Sequence, residues 1–287
     1  MPEIDSTGYF SELFSSIQGE GGMVRGSCFG KRQIFVRFSG CNLINGEFGS
    51  SGCYWCDSPQ ARDLKNGKLM YEKSPGSQIL SSEESPVKIS KIIHIIKNLI
   101  TPDLHSISFT GGEPLYQLDA VISLCNALKK ENMKYPLYLE TNGTIALIEE
   151  QASYLAKYFS YCCCDIKDRS ANAASFEKWE NLVKSELDFI TQMANREVEV
   201  FAKLVVTSKT KIKDLQWILK HLSSIRLSDR QAVGLAIQPA IIRNEQLKNT
   251  ISISPQYLNQ IFEIAAGFIP IESLSLSIQA QKMIDLL

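Results

Sequence analysis

The sequence predicts an α/β fold, a partial or complete barrel of β/α units around a parallel sheet, and three observations carry that reading. Short apolar, β-branched runs alternate with longer segments of helical period, and parallel neighbours need the crossovers that helices supply. The alternation repeats roughly six or seven times, as a barrel requires. With 44% hydrophobic and 21% charged residues, the 287-residue chain has material for a sizeable core. No repeat of fixed period and no long low-complexity tract is present, which excludes stacked-repeat architectures and leaves one domain over residues 1–287.

Taken in order, the strands fall at Ile34 to Gly40, Ser106 to Gly111, Tyr138 to Thr141, Tyr161 to Lys167, Val198 to Thr207, Ala232 to Gln238 and Leu274 to Ile278. Each is a short run of aliphatic, aromatic or β-branched residues, the types that fit a pleated, half-buried surface. The first helix is the clearest: Ile89, Ile92, Ile93, Ile96, Leu99 and Ile100 share one stripe, with Lys91 and Lys97 away from its centre. Further helices are predicted over Leu115 to Asn132, Ile145 to Tyr158, Ala174 to Ala194, Lys211 to Ile225 and Pro255 to Phe268. Asp57 to Val87 interrupts the rhythm; it is polar and turn-rich, and reads as a surface insertion.

Composition narrows the function classes. A formal charge of -1 provides no global basic field, so direct nucleic-acid binding is not expected. No run of about 18 apolar residues would span a bilayer, and Met1-Pro2-Glu3-Ile4-Asp5 lacks the basic and apolar regions of a secretory signal, so a cytoplasmic location is expected. Eight cysteines in a chain of this size point to metal or redox chemistry rather than a disulfide framework.

The chemistry concentrates at Cys41, Cys53 and Cys56, spaced C-x11-C-x2-C. A strand delivering Cys41 to its end, followed by a loop with two close cysteines, can bring three thiolates to one inorganic centre. Structural zinc needs a fourth protein ligand, and His94, His105 and Cys28 are distant in sequence. A cubane held by three thiolates instead leaves one iron open, which is chemically useful. A second segment, Ser108-Phe109-Thr110-Gly111-Gly112-Glu113-Pro114-Leu115, stands where a strand ends and a helix begins. Its glycines permit close backbone approach to a ligand, and Glu113 and exposed carbonyls can accept from an ammonium group; alone it would be an ordinary strand-to-helix turn.

Together these motifs resemble the radical S-adenosylmethionine superfamily, whose partial (β/α) barrel, here with insertions, becomes the expected fold. Ser16-Ile17-Gln18-Gly19-Glu20-Gly21, Val36 to Leu43, Cys56-Asp57-Ser58 and Glu140-Thr141-Asn142-Gly143 narrow the resemblance to the 7-carboxy-7-deazaguanine synthase family. The resemblance implies a [4Fe-4S] cluster on Cys41, Cys53 and Cys56, with S-adenosylmethionine on its open iron. It implies cofactor contacts at Trp55, Gly111, Gly112 and Glu113, with Glu140 and Asn142 near the ribose or methionine portion. Trp55 reads equally as a core aromatic, and Glu140 and Asn142 as the end of a strand.

By the same resemblance the reaction is radical ring contraction of 6-carboxy-5,6,7,8-tetrahydropterin to 7-carboxy-7-deazaguanine with loss of ammonia, on the 7-deazapurine pathway. Gln18 and Glu20 suit the pterin's donor and acceptor edge, and Arg37 its carboxylate; Gln18-Gly19-Glu20 reads otherwise as a turn, and Arg37 as half of an ion pair. Thr110 either donates one further hydrogen bond or caps the next helix. The family binds Mg2+ through Cys-Asp-Thr, where this chain has Cys56-Asp57-Ser58, so Ser58 becomes the candidate ligand. Gln281 stands where relatives often have His, which keeps hydrogen bonding but removes a titratable group. A one-electron reductant such as flavodoxin or ferredoxin and a homodimer are implied as partners. Most relatives are shorter, which marks insertions near residues 60–86 and 168–196.

Asp165, Lys167 and Lys203 lie in predicted strands and can face the site, although a strand-buried lysine more often pairs with a carboxylate. Cys162, Cys163 and Cys164 alternate faces of one strand and cannot converge on a metal, so they read as core. The alternative functions are a glycyl-radical-enzyme activase, which commonly has a shorter C-x3-C-x2-C loop, another radical enzyme of shifted substrate, and a non-catalytic metal-stabilised binding module.

Overall fold

The computed structural model of the protein describes residues 6–65, 67–241 and 250–283. Strands β1 (Thr7–Gly8), β2 (Phe10–Ile17), β3 (Arg32–Phe38), β4 (Lys68–Glu72), β5 (Leu80–Glu84) and β6 (Val87–Lys88) precede helix α1 (Ile89–Asn98). Then follow β7 (Leu104–Gly111), α2 (Leu118–Lys130), β8 (Leu137–Thr141), α3 (Glu149–Tyr158), β9 (Phe159–Ile166), α4 (Trp179–Ala194), β10 (Glu199–Val206), α5 (Ile212–Leu222) and β11 (Gly234–Pro239). Helix α6 (Pro255–Ala266) and β12 (Leu274–Leu276) complete the series. One ten-stranded sheet runs β12-β11-β10-β9-β8-β7-β3-β2-β4-β5. From β3 to β12 every neighbouring pair is parallel, and β2 pairs antiparallel with β3. The architecture is a partial (β/α) barrel, with β5 and β12 as the sheet's two edges.

Alternation along each strand sorts the side chains into two environments. Val36, Phe38, Phe109, Leu139, Cys164, Leu204 and Ile237 join the large apolar core, which α1 reaches with Ile89, Ile92, Ile93, Ile95 and Ile96. On the opposite face Arg37, Thr110, Glu140, Asp165, Lys203 and Gln238 line a cavity. The cysteine triplet divides the same way: Cys162 and Cys164 enter the large core, while Cys163 packs with Val24, Tyr138, Phe201 and Ala236 in a smaller cluster.

Closure of the barrel does not use strand pairing. Residues 19–23, after β2, reach the β12 end: Gly21 N donates to Ser277 Oγ (2.8 Å), Met23 N to Ser275 Oγ (2.9 Å), and Ala280 N to Gly19 O (3.0 Å). Val24 then packs with Tyr138 and Phe201 in a buried apolar cluster.

All seven predicted strands are present, but three strands of the ten-stranded sheet, and β1 and β6, which pair as a small second sheet, lie outside the prediction. Strand β2 hides behind Ser11, Ser15 and Ser16, which are all buried; a serine-rich strand covered on both faces has no alternation to read. The polar stretch 57–87 carries β4 and β5, which extend the sheet beyond β2. Glu72 there is 1% exposed, its carboxylate accepting from Ser15 N (3.0 Å) and Gln78 N (3.0 Å). Residues 168–196 contain α4, the crossover from β9 to β10. Among the described residues, no helix is long and apolar enough to cross a membrane.

Candidate active site

The cavity, about 420 Å3, opens at the C-terminal ends of the parallel strands, where β/α barrels place their chemistry. Cys41, Cys53, Trp55, Cys56, Ser58, Gln18, Glu20, Arg37, Thr110, Gly111, Gly112, Glu140 and Asn142 all line it. Of the sequence-predicted site residues, Glu113 alone stays outside that lining.

The cysteine wall begins where β3 ends. Gly40, at φ +87°, turns the chain, and Cys41 N donates to Arg62 O (2.9 Å). The loop with Cys53 and Cys56 is pinned from the other side by Tyr54 N donating to Ala171 O (2.9 Å). All three thiols are free and partly exposed. Burial pushes Cys41 up to about 12 and Cys53 up to about 11, and raises Cys56 as well. Such thiols ionise only beside a cation, and an iron centre supplies that charge. Among the described residues no three His, Cys, Asp or Glu side chains close around a single ion.

Gly111 and Gly112 fit against the end of β3. A Cβ on Gly111, at φ +143°, would stand 2.2 Å from Phe38 O, and one on Gly112 would stand 2.3 Å from Gly40 O and 2.4 Å from Ala61 O. Gly112→Ala is therefore expected to cost about 2 kcal/mol or more of folding stability, read as a lowered urea midpoint. An unchanged midpoint would show that the segment can relax.

Glu113 sits behind the glycine pair. It is fully buried, and its carboxylate accepts from Asn142 N (2.6 Å), Thr141 Oγ1 (2.7 Å) and Leu115 N (3.0 Å). It staples the β7 loop to the end of β8, and the ligand-facing atoms of its segment belong to Gly111 and Gly112. Burial outweighs these donors and raises its pKa to about 7. Between its ordinary value of 4.5 and about 7 the folded chain keeps a proton that the unfolded chain has lost. Its contribution to stability is thus complete below that window and lost as pH rises through it. Glu113→Gln is expected to flatten part of the fall in urea midpoint over this range; Glu140, Asp168 and Glu186, also raised by burial, keep the rest.

A polar network also lines the cavity. Gln18 donates to Glu140 Oε1 (2.8 Å) and Gln33 Oε1 (3.3 Å) and accepts from Glu20 N (3.0 Å), while Thr110 donates to Glu140 Oε2 (2.8 Å). Arg37 shares a rung with Glu12 and Thr110. Its Nε pairs with Glu12 Oε2 at 2.7 Å and its Nη1 donates to Ser58 Oγ at 2.9 Å. Asn142 Nδ2 donates to Asn42 Oδ1 (3.0 Å) and lies 4.0 Å from Cys41 Sγ. Lys203 pairs with Glu20 (2.5 Å) and Asp165 (3.2 Å), and Asp165 with Lys167 (2.9 Å). Desolvation opposes the charge on Lys203, but Asp165 and Glu20 outweigh it and hold the ammonium charged. Its pairing role is as expected.

Glu12, Asp57, Gln238, Gln279 and Lys282 also line the cavity without having been assigned a role from sequence. Glu12 lies on the unread strand β2; its one signal is an acid amid apolar and serine residues.

These features have counterparts in known proteins. A family model described as a 4Fe-4S single cluster domain matches residues 17–181. A 7-carboxy-7-deazaguanine synthase from Thermococcus kodakarensis is 34% identical over 278 residues, covering 96% of this chain and 98% of that protein. Another, from Methanocaldococcus jannaschii, is 32% identical over 277 residues, covering 96% and 99%. A solved domain of pyruvate-formate lyase-activating enzyme from Bacteroides vulgatus overlays with a TM-score of 0.43 at 13% identity, covering 61% of this chain and 98% of that one, too distant to carry an argument. With a cluster-domain match over more than half its length and relatives aligned nearly end to end, the chain belongs to the 7-carboxy-7-deazaguanine synthase family of radical S-adenosylmethionine enzymes, which use a [4Fe-4S] cluster and S-adenosylmethionine.

Proposed function

We propose that this protein converts 6-carboxy-5,6,7,8-tetrahydropterin to 7-carboxy-7-deazaguanine with loss of ammonia. The observation that carries the reading is one cavity lined both by three free thiols and by a polar set, Gln18, Glu20, Arg37, Thr110 and Glu140. Cys41, Cys53 and Cys56 hold the cluster, and Trp55, Gly111, Gly112 and Asn142 flank the cofactor. When bound, the reduced cluster supplies the electron that cleaves S-adenosylmethionine to methionine and a 5'-deoxyadenosyl radical.

The chain's own work is binding, orientation and exclusion of water. Arg37 keeps its Nε on Glu12 and turns the rest of its planar guanidinium towards the cavity, where it can bind a carboxylate through two parallel bonds. Glu140, held by Gln18 and Thr110, and Glu20, held by Lys203, present acceptors to the donor edge of a pterin. Burial raises the pKa of Glu140, while Lys203 and the donors Gln18 and Thr110 oppose that rise. Val24 and Phe201 pack with Tyr138, Cys163 and Ala236 in a buried apolar cluster.

Mg2+ belongs to the proposal through the Ser58 hydroxyl. That oxygen already accepts from the Arg37 cation and donates to Asp57 Oδ1 at 3.1 Å, so the protein offers the ion few oxygens. Substrate and water would complete its shell, as suits an ion that retains waters. Flavodoxin or ferredoxin as reductant and a homodimer rest on the family resemblance. A cytoplasmic setting is supported by eight free cysteines, which a reducing compartment preserves. The glycyl-radical-enzyme activase alternative commonly carries the shorter C-x3-C-x2-C loop, whereas the spacing here is C-x11-C-x2-C.

The test is anaerobic reconstitution with iron and sulfide, reduction, and incubation with S-adenosylmethionine and the carboxytetrahydropterin. Formation of 7-carboxy-7-deazaguanine is expected. Cofactor cleavage with the pterin left intact would remove the substrate assignment and leave the cofactor chemistry standing.

A further inference from the structure

We propose that Gln279 and Lys282 are positioning residues that tie the substrate-facing carboxylate of Glu20 to the loop carrying Cys56. The inference rests on the reading of the cavity given above and deepens it. Gln279 lies just beyond β12 and is 3% exposed. Its Nε2 donates to Glu20 Oε1 at 2.7 Å and to Asp57 Oδ2 at 3.0 Å, and its Oε1 accepts from Lys282 Nζ at 2.7 Å. The same ammonium lies 3.3 Å from Asp57 Oδ2.

The arrangement is specific to an amide with an adjacent cation. The two N–H bonds of one NH2 group lie in a rigid plane, so a side chain that serves two carboxylates also fixes their separation. Those carboxylates come from different segments: Glu20 follows β2, and Asp57 stands between Cys56 and Ser58. Left without donors they would repel each other, and Lys282 offsets that repulsion. The clasp is itself anchored. Ala280 N donates to Gly19 O, Gly21 N donates to Ser277 Oγ, and Gln281 Oε1 packs where a Cβ on Gly19 would stand 1.8 Å away. Glu20's other oxygen is held by Lys203. A substrate that engages Glu20 therefore bears on Asp57 through a single buried amide, and so on the loop beside the cluster.

The experiment uses the full-length reconstituted protein and three variants: Gln279→Glu, which is isosteric but replaces both donors with a third carboxylate, Lys282→Met, and the conservative Lys282→Arg. Expected for Gln279→Glu are unchanged iron content, a rise in KM for the carboxytetrahydropterin on the order of tenfold, and more 5'-deoxyadenosine released per product. Lys282→Met moves the same way by less, and Lys282→Arg stays near wild type, since it keeps the donors. Substrate-free hydrogen exchange supplies a second readout: residues 18–23 and 53–58 both exchange faster in Gln279→Glu and Lys282→Met.

An unchanged KM and product ratio in Gln279→Glu, or faster exchange confined to residues 277–283, would overturn the proposal. If Gln279→Glu does not fold, Lys282→Met, which leaves the amide bridge in place, decides by the same two readouts. If wild-type protein makes no 7-carboxy-7-deazaguanine, the functional reading falls, and exchange in the two loops still decides whether the clasp couples them.

Discussion

Cys41→Ala, Cys53→Ala and Cys56→Ala are each expected to strip the protein of its cluster and lower product formation by about a hundredfold or more. The three thiols differ in how they are held. Cys41 follows β3 and is fixed to Arg62 O, whereas Cys53 and Cys56 share a loop tied to Ala171 O. Equal loss in all three would mean that the cubane needs every corner, whichever element supplies it. The control is Cys163→Ala. That thiol is 3% exposed beside Val24, Tyr138 and Phe201, so its removal leaves a small void costing about 1–2 kcal/mol and no loss of iron. Iron and sulfide content, the electron paramagnetic resonance signal of the reduced protein, and product yield read the outcome. Full iron content in any of the three cavity variants would refute the ligand assignment.

Arg37→Met is expected to raise KM for the carboxytetrahydropterin by about tenfold to a hundredfold, the worth of one or two charge-assisted hydrogen bonds. Substrate-independent cleavage of S-adenosylmethionine should remain. The same substitution leaves Glu12 without its 2.7 Å partner, so stability falls too. Pairing Arg37→Met with Glu12→Gln separates the effects, since Gln60 Nε2 still donates to residue 12 from 3.0 Å. The double variant should recover the urea midpoint without recovering KM. A pterin lacking the carboxylate should bind wild type and Arg37→Met alike. If Arg37→Met discriminates against both pterins equally, the guanidinium does not read the carboxylate.

Much of the site was legible because it is written locally. The C-x11-C-x2-C spacing places three thiols on the segment after one strand, and Gly111-Gly112 sits at a strand-to-helix turn whose backbone contacts admit no side chain. Lys203 read as a paired lysine and pairs with two carboxylates. For Glu113 the motif fixes where the residue stands in the chain, whereas the tertiary structure adds that Thr141 Oγ1 and Asn142 N at the end of β8, with Leu115 N beside it, draw its carboxylate inward. Strand β2, and with it Glu12, escaped notice because a buried serine-rich strand carries no hydrophobic period.

From sequence alone came the alternation of strands and helices, the order of the parallel strands' residues and the candidate cluster ligands, because periodicity and spacing act over a few residues at a time. Only the tertiary structure decided that β4 and β5 extend the sheet past β2, and that residues 19–23 rather than a strand bridge to β12. It likewise decided that Gln279 joins Glu20 to Asp57 across segments separated by more than two hundred positions. Such contacts depend on which ends a curved sheet brings together, and no short window of sequence encodes that curvature.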